Sequence, residues 1–155
     1  MEEPKRLCLE LMETAEAAYL TTMDGDGFPQ TRAMFNLRRK DQFPALSTRF
    51  AIHRDDFLVY FTTNTSSRKI IHLRVSPKAS VYYSRPTEWR GLNLIGDIDI
   101  VDDADVNESL WQDGWNLYYP GGSSDQDYAV LRMRPLFARY YHQLHVFQID
   151  FPVHD

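Results

Sequence analysis

The sequence predicts a mainly β fold with flanking helices, and three observations support this class. Short runs of β-branched and aromatic residues recur along most of the chain and are separated by turn residues. An Asp-Gly-Asp-Gly sequence at residues 24–27 supplies a hairpin turn between two such runs. We predict helices from the spacing of apolar residues in three segments, at residues 4–18, 67–76 and 102–114.

Length, charge and cysteine content limit the class of protein further. The chain has 155 residues, so we expect one domain over residues 1–155. A single cysteine, Cys8, excludes an internal disulfide and a cysteine-based zinc site. The net charge of -5 argues against nucleic-acid binding, including single strands held on aromatic side chains. We find no signal peptide or long apolar span, so a cytoplasmic location without membrane contact is expected.

The first half of the chain opens with a helix and a hairpin. Strand 19–23 follows the first helix, and strand 29–37 is its partner across the turn. Residues 38–56 are polar and irregular, which predicts a loop. Its basic cluster of Arg38, Arg39 and Lys40 is interpreted as a solvated hairpin end in preference to a patch that gates a ligand.

The second half of the chain is predicted to consist of strands around one helix. Residues 88–101 predict a long bent strand with bulges at Gly91 and Gly96. The helix that starts at Asp102 should end near Gly114. Two strands, 128–134 and 137–141, are predicted on either side of Pro135, and a last strand covers residues 146–151.

The central stretch from residue 57 to residue 84 combines a strand, a helix and a second strand. The first strand covers 58–63, and Ser66 or Ser67 caps the helix that follows. Pro77 forbids further helix, and the second strand includes residues 81–83. The apolar face of this helix is predicted from Ile70, Ile71, Leu73 and Val75.

Anion-binding chemistry gathers where this first strand meets the helix. Free backbone N–H groups at a helix N-terminus, hydroxyl donors and two cations suit a phosphate monoester. A solvated helix start is the alternative interpretation of the same composition. The polar residues at this joint are Thr62, Thr63, Ser66, Ser67, Arg68 and Lys69.

The central stretch closely resembles the phosphate-binding segment of the pyridoxamine 5'-phosphate oxidase-like flavoproteins. The matching residues are Phe61, Thr62, Thr63, Ser67, Arg68, Lys69, Ser76, Pro77 and the strand 79–84. The segment from Trp111 to Asp125, which is rich in Trp and Tyr and has a Pro-Gly-Gly turn, is similar to the general stress protein 26 branch. The resemblance implies an FMN-binding split β-barrel with Greek-key-like connections. It also implies a homodimer with the flavin at the interface, and FMN phosphate on Ser67, Arg68 and Lys69.

Arg32 is a second candidate for contact with the ligand. By strand alternation it shares a face with Met34 and Asn36, so it could point toward a ligand or lie in water at a sheet edge. The resemblance favours the ligand, because an arginine at this place is the family's first flavin contact. It also implies that the backbone of Ala33, Met34 and Phe35 lies along the flavin ring. The sequence leaves FAD or a deazaflavin open as alternatives to FMN.

Three positions depart from the true pyridoxamine phosphate oxidases. Gly91 stands where those enzymes have a glutamine that touches the flavin, and Leu37 replaces a lysine at the end of the arginine strand. No Arg-x-His segment for the substrate phosphate follows Arg139. We therefore expect an FMN-dependent oxidoreductase with another substrate, and list no catalytic side chain since the flavin carries the chemistry. A flavin carrier or sensor without turnover is the alternative.

The remaining expectations concern partners, metals and other chemistries. Aromatic residues make up 14% of the chain, so some should line a planar ligand's site or an interface, although a barrel core rich in Tyr and Phe explains them equally. The predicted partner wall comprises Trp111, Trp115, Tyr140 and Tyr141. The histidines His53, His72, His142, His145 and His154 lack a helical metal-binding motif, so no metal site is predicted. No hydrolase elbow, P-loop or Rossmann glycine motif occurs.

Overall fold

Seven antiparallel strands form one curled sheet, a half-barrel with helices packed against it. The computed structural model describes residues 2–153. The two ends of the predicted domain, at residues 1 and 155, and His154 lie outside the described residues. The helices are α1 Glu3–Thr14, α2 Ser47–Phe50, α3 Arg68–Val75 and α4 Ala104–Leu110. The strands are β1 Ala17–Met23, β2 Pro29–Phe35, β3 Val59–Asn64, β4 Lys78–Arg85, β5 Arg90–Val101, β6 Tyr128–His142 and β7 His145–Asp150. This confirms the mainly β class.

The order of the strands is β2-β1-β4-β5-β6-β3, and β7 also pairs with β6. Strand β6 has 15 residues and pairs with β5 along almost its whole length. Its first half also pairs with β3 and its second half with β7, so this one long strand connects β3 and β7 to the rest of the sheet. The hairpin predicted around residues 24–27 is confirmed by the β1–β2 pairing.

The prediction of two strands divided at Pro135 is wrong. The β5–β6 register shifts at this point, since Ile95 pairs with Phe137 while Gly96 pairs with Pro135. The extra residue, Leu136, forms a bulge that lets the strand continue past a proline without a ladder N–H. A β-carbon at Gly96 would lie 2.8 Å from the carbonyl oxygen of Arg134, so the shift depends on glycine.

Gly91 lies in regular pairing with Ser84 and Tyr141, and the bulge predicted there is wrong. Gly91 leaves space for the side chains of Tyr82 and Tyr141. A β-carbon at Gly91 would lie 2.4 Å from both the Tyr82 hydroxyl and a ring carbon of Tyr141. The two phenol hydroxyls hydrogen-bond over it at 2.5 Å.

The core lies on both faces of β3. Side chains of a strand alternate between faces, so Val59 and Phe61 join a large cluster beneath α1, whereas Leu58 and Tyr60 join a second cluster. Trp115 belongs to that second cluster, which therefore connects β3 to the segment after α4. The end of β3 is held rigidly between the two.

Three predicted boundaries differ from the structure. Helix α1 ends at Thr14 because the backbone is extended at Ala15 and residues from 17 onward pair within the sheet. Strand β2 ends at Phe35, two residues earlier than predicted. Helix α4 ends at Leu110, and Gly114 caps a later 3-10 turn with a φ of 90°.

The predicted loop at residues 38–56 contains consecutive helical turns from Pro44 to His53. The buried side chains of Phe43, Leu46 and Phe50 hold these turns against the second cluster. Their spacing of three and four residues is typical of a helix, so this signal was present in the sequence.

The interpretation of the basic cluster after β2 as a solvated hairpin end is wrong for Arg38, whereas Lys40 is exposed. Arg38 is buried and donates to the carbonyl oxygens of Leu58 and His53, at 2.9 and 2.8 Å from Nε and Nη2. Arg39 pairs with an aspartate, and Lys40 pairs with a glutamate of α1. Arg38 therefore stabilises the backbone that leads into β3.

Residues 2–153 contain no helix long and apolar enough to cross a membrane. In the same range, no three His, Cys, Asp or Glu side chains are grouped so that they could hold a metal ion.

Candidate functional site

The joint between β3 and α3 brings hydroxyl and amine groups together. Lys69 Nζ donates to the Thr63 hydroxyl at 2.7 Å, and the Ser67 hydroxyl lies 3.4 Å from the same oxygen. Ser67 is the N-cap, yet its side chain makes no capping hydrogen bond. Within residues 2–153 the backbone N–H groups of Arg68 and Lys69 have no acceptor. Two donors at the positive end of the helix are thus free for an anion.

Asp127 shapes the turn that leads into this joint. Its carboxylate accepts hydrogen bonds from Asn64 Nδ2, the Thr65 hydroxyl and the Ser66 N–H, at 2.5, 2.9 and 3.1 Å. These bonds lower the pKa of Asp127 to about 2. Ser66, which the sequence grouped with the anion-binding residues, is therefore used by the turn. Sequence reasoning missed Asp127, because nothing local connects it to a turn 61 residues earlier.

Two half-buried cations, Arg32 and Lys69, lie near the joint without a carboxylate partner among the described residues. Arg32 Nη1 donates to the Thr22 hydroxyl at 2.7 Å and to the Leu20 carbonyl at 3.3 Å. Burial lowers the pKa of Arg32, while burial and then the charge of Arg32 lower the pKa of Lys69. Among the described residues neither side chain forms an ion pair with a carboxylate, and neither does the exposed Arg68. Uncompensated positive charge of this kind is what an anion site requires.

A cleft of about 500 Å³ lies beside these cations. Six of the nine residues predicted to bind the cofactor line it: Ala33, Met34, Phe35, Thr62, Thr63 and Lys69. The other three, Arg32, Ser67 and Arg68, lie outside the lining. Eight further residues line the cleft: Glu16, Ala17, Arg39, Gln42, Asn64, Trp115, Tyr118 and Tyr119.

Aromatic side chains form the wall opposite the joint. The rings of Phe35 and Trp115 are nearly parallel, with centroids 6.4 Å apart, and Tyr118 meets Phe35 edge to face at 6.0 Å. Burial raises the pKa of Tyr119, so its phenol remains neutral. The concentration of Trp and Tyr after residue 110 was the signal for this wall in the sequence.

Two of the four residues of the predicted partner wall are buried within the chain itself. Trp115 is buried in the second cluster and lines the cleft, and Tyr140 is buried in the barrel core. Tyr140 lies on the inward face of β6, where it accepts a hydrogen bond from Arg90. Alternation along β6 places its neighbour Tyr141 on the outer face.

A curled antiparallel half-barrel with an open cleft at one strand end is the architecture of the FMN-binding split barrels, which confirms the predicted fold. A family model described as pyridoxamine 5'-phosphate oxidase like matches residues 3–149. The chain therefore belongs to this family, as the resemblance predicted.

Solved structures agree with the assignment. A Clostridium acetobutylicum protein related to general stress protein 26 of Bacillus subtilis is 27% identical, with a TM-score of 0.77 over 97% of this chain and 96% of the other. General stress protein 26 from Bacillus anthracis is 17% identical, with a TM-score of 0.71 over 96% and 100% of the two chains. A pyridoxamine 5'-phosphate oxidase-related, FMN binding protein from Nostoc punctiforme is 14% identical, with a TM-score of 0.64 over 99% and 98%. A search of curated proteins gave no match.

Proposed function

We propose that this protein binds FMN in the cleft beside the β3–α3 joint and uses it as an oxidoreductase. The observation that carries the proposal is the pair of half-buried cations, Arg32 and Lys69, without a carboxylate partner among the described residues. Two such charges repel, so an anionic group between them would relieve the repulsion. Family membership and the FMN binding neighbour support a flavin as the source of that anion.

The residues present fit the two ends of FMN. The phosphate would be held by Lys69, Arg68 and the two free N–H groups of α3, with Arg32 on the same side. The segment from Ala33 to Phe35, which has apolar side chains, and the ring of Trp115 suit a planar tricyclic system. A volume of about 500 Å³ also lies in the range of cofactor sites. A dinucleotide flavin or a deazaflavin would use the same phosphate donors.

The reaction class follows from the cofactor, and the substrate is not pyridoxamine phosphate. When bound, FMN supplies hydride or electron transfer at its N5 atom. The cleft's own side chains bind and orient the cofactor and exclude water, and none is assigned a proton-transfer step. Leu37 is buried, and no Arg-x-His segment follows Arg139. This chain therefore lacks the residues that bind the substrate phosphate in the true oxidases. A reduced nicotinamide is the proposed donor, with a small molecule as acceptor.

We also propose a homodimer in which the partner covers the cleft. Two apolar residues that line the cleft are exposed, Tyr118 by 47% and Phe35 by 43%, and Leu117, next to Tyr118 in the chain, is exposed by 81%. Apolar surface around an open ligand site is typical of an interface that closes over the ligand.

The first test compares FMN with riboflavin, which lacks the phosphate. The purified protein should bind FMN more tightly, with the two visible absorption bands of a flavin. Lys69→Ala removes a charge-assisted hydrogen bond of about 1.5–3 kcal/mol, so FMN affinity should fall about ten- to a hundred-fold while riboflavin affinity stays unchanged. Lys78→Ala, at an exposed lysine of β4, is the charge-matched control and should bind both ligands as the parent does. Unchanged FMN affinity in Lys69→Ala would move the phosphate site elsewhere.

The second test separates an enzyme from a flavin carrier. The FMN-loaded protein is mixed anaerobically with NADH or NADPH, and the flavin absorbance near 450 nm, roughly its oxidised maximum, is followed. Rapid bleaching supports the oxidoreductase. Absorbance that persists with both nicotinamides supports a carrier or sensor.

A further inference from the structure

The hydroxyl of Thr22 is the meeting point of β1, β2 and α3. Thr22 is fully buried, so solvent does not reach this hydroxyl. Arg32 Nη1 lies 2.7 Å from Thr22 Oγ1 on one side, and His72 Nδ1 lies 2.8 Å from it on the other. The chain of contacts Arg32–Thr22–His72 therefore crosses three elements through one buried oxygen.

The direction of the bond between Arg32 and Thr22 follows from the donors available. A guanidinium only donates, so Thr22 accepts from Arg32. On its other side the same hydroxyl hydrogen-bonds to Nδ1 of His72. With the hydroxyl as donor in this second bond, the proton of the imidazole ring lies on Nε2. Each of the three groups thus depends on the next for its hydrogen bond.

This chain of bonds also anchors the side of α3 that carries Lys69. His72 and Lys69 are three residues apart on α3 and share one side of the helix. Of the predicted apolar face, Ile70 and Leu73 are buried in the core, whereas Ile71 and Val75 are exposed and His72 is buried in their place. The inward side of α3 therefore combines apolar packing with the hydrogen bond to Thr22. Lys69 reaches Thr63 beside it, at 2.7 Å.

We propose that Thr22 and His72 are positioning residues that make the site selective for a phosphate monoester over the unphosphorylated compound. They hold Arg32 and Lys69 close together before an anion binds, although the two cations repel each other. The identity of the ligand as FMN rests on the proposed function. The preference for a phosphate group rests on the contacts around Thr22.

Two substitutions at one position test the hydroxyl. Thr22→Val keeps the size and β-branching of the side chain but removes the acceptor of Arg32 and the donor of His72, so FMN affinity should fall about ten-fold. Riboflavin affinity should stay unchanged. Thr22→Ser restores the hydroxyl and should restore FMN affinity. His72→Phe removes the ring nitrogen while keeping a planar ring, and should lower FMN affinity in the same direction.

The matched control lies one residue away on the same two strands. Thr21 is on the opposite face of β1, and its hydroxyl bonds to that of Thr31 on β2 at 2.7 Å. Thr21→Val thus removes a cross-strand hydroxyl contact of equal length outside the network, and FMN affinity should not change. If Thr22→Val and Thr22→Ser bind FMN equally, or if Thr22→Val weakens FMN and riboflavin alike, the proposal is wrong.

Two measurements on the ligand-free protein separate this proposal from the proposed function. ¹⁵N NMR should show His72 with its proton on Nε2 in the parent and in Thr22→Ser, and an altered Nδ1 shift in Thr22→Val. Inorganic phosphate should raise the unfolding temperature of the parent and Thr22→Ser more than that of Thr22→Val. If the parent binds no flavin but this phosphate contrast holds, only the FMN assignment fails. Equal protection of all three proteins, or none, overturns the inference.

Discussion

Single residues from distant parts of the chain define the phosphate end of the cleft. Asp127 places a carboxylate close to a site that we propose binds an anion, which would be unfavourable if its charge were free. Its oxygens are instead occupied by the donors of residues 64–66. The negative charge of Asp127 is therefore neutralised by the hydrogen bonds that form the turn, and Ser66, which donates to it, is not available to an anion.

The depressed pKa of Asp127 predicts a loss of stability in acid. The pKa falls from the usual 3.8 to about 2 in the folded protein, so the ionised group stabilises the fold above about pH 4. This contribution is lost as the pH falls toward 2. Asp127→Asn should be less stable than the parent at pH 7, and the difference should shrink by pH 2.5. Urea unfolding at both pH values measures it, and a difference that is independent of pH would contradict the assignment.

At the scale of elements, helix α1 is attached to the sheet by Arg90. This buried arginine of β5 donates to the Tyr140 hydroxyl and the Leu7 carbonyl, both at 2.8 Å, and pairs with Glu10 at 2.9 Å. Arg85 also approaches Glu10, at 3.7 Å, but its side chain is 29% exposed compared with 5% for Arg90. The two arginines thus share one carboxylate and differ in burial.

This difference predicts unequal costs for the same substitution. Arg90→Met leaves a buried hydroxyl and a carbonyl without their donor, so the free energy of unfolding should fall by about 3 kcal/mol. Arg85→Met breaks exposed contacts, the ion pairs with Glu10 and Glu88 and the hydrogen bond to Thr14, and should cost at most about 1 kcal/mol. Urea denaturation of both variants measures the two values. Equal losses would mean that the buried hydrogen bonds of Arg90 stabilise the protein no more than the exposed contacts of Arg85.

At the scale of the whole molecule, the cleft is bounded by β2, β3, α3 and the segment after α4, and it exposes the aromatic side chains of Phe35 and Tyr118. Light scattering at micromolar concentration should therefore give about twice the mass of the chain. Addition of FMN should stabilise the dimer, because the ligand is proposed to lie at the interface. A monomer that binds FMN with unchanged affinity would show that one chain makes the complete site.

Local features of this protein were determined by the sequence itself. The hairpin at residues 24–27, the strand–helix joint at residues 62–69 and the strand that carries Arg32 depend on neighbours within a few positions. Turn residues, N-caps and side-chain alternation act over such distances, so these elements were predictable. The motif shared with the family begins at Phe61 and includes the strand–helix joint.

Only the tertiary structure decided which distant residues complete the site. Trp115 and Tyr119 reach the cleft, and Asp127 reaches the turn, because β6 pairs with β3 and carries the preceding segment to the end of that strand. Strand pairing likewise ended α1 at Thr14, and α3 buries His72 against Thr22 beside Ile70 and Leu73 while Ile71 and Val75 are exposed. Sheet register and buried hydrogen bonds join residues far apart in the chain, and their free energy exceeds the local preferences that the sequence displays.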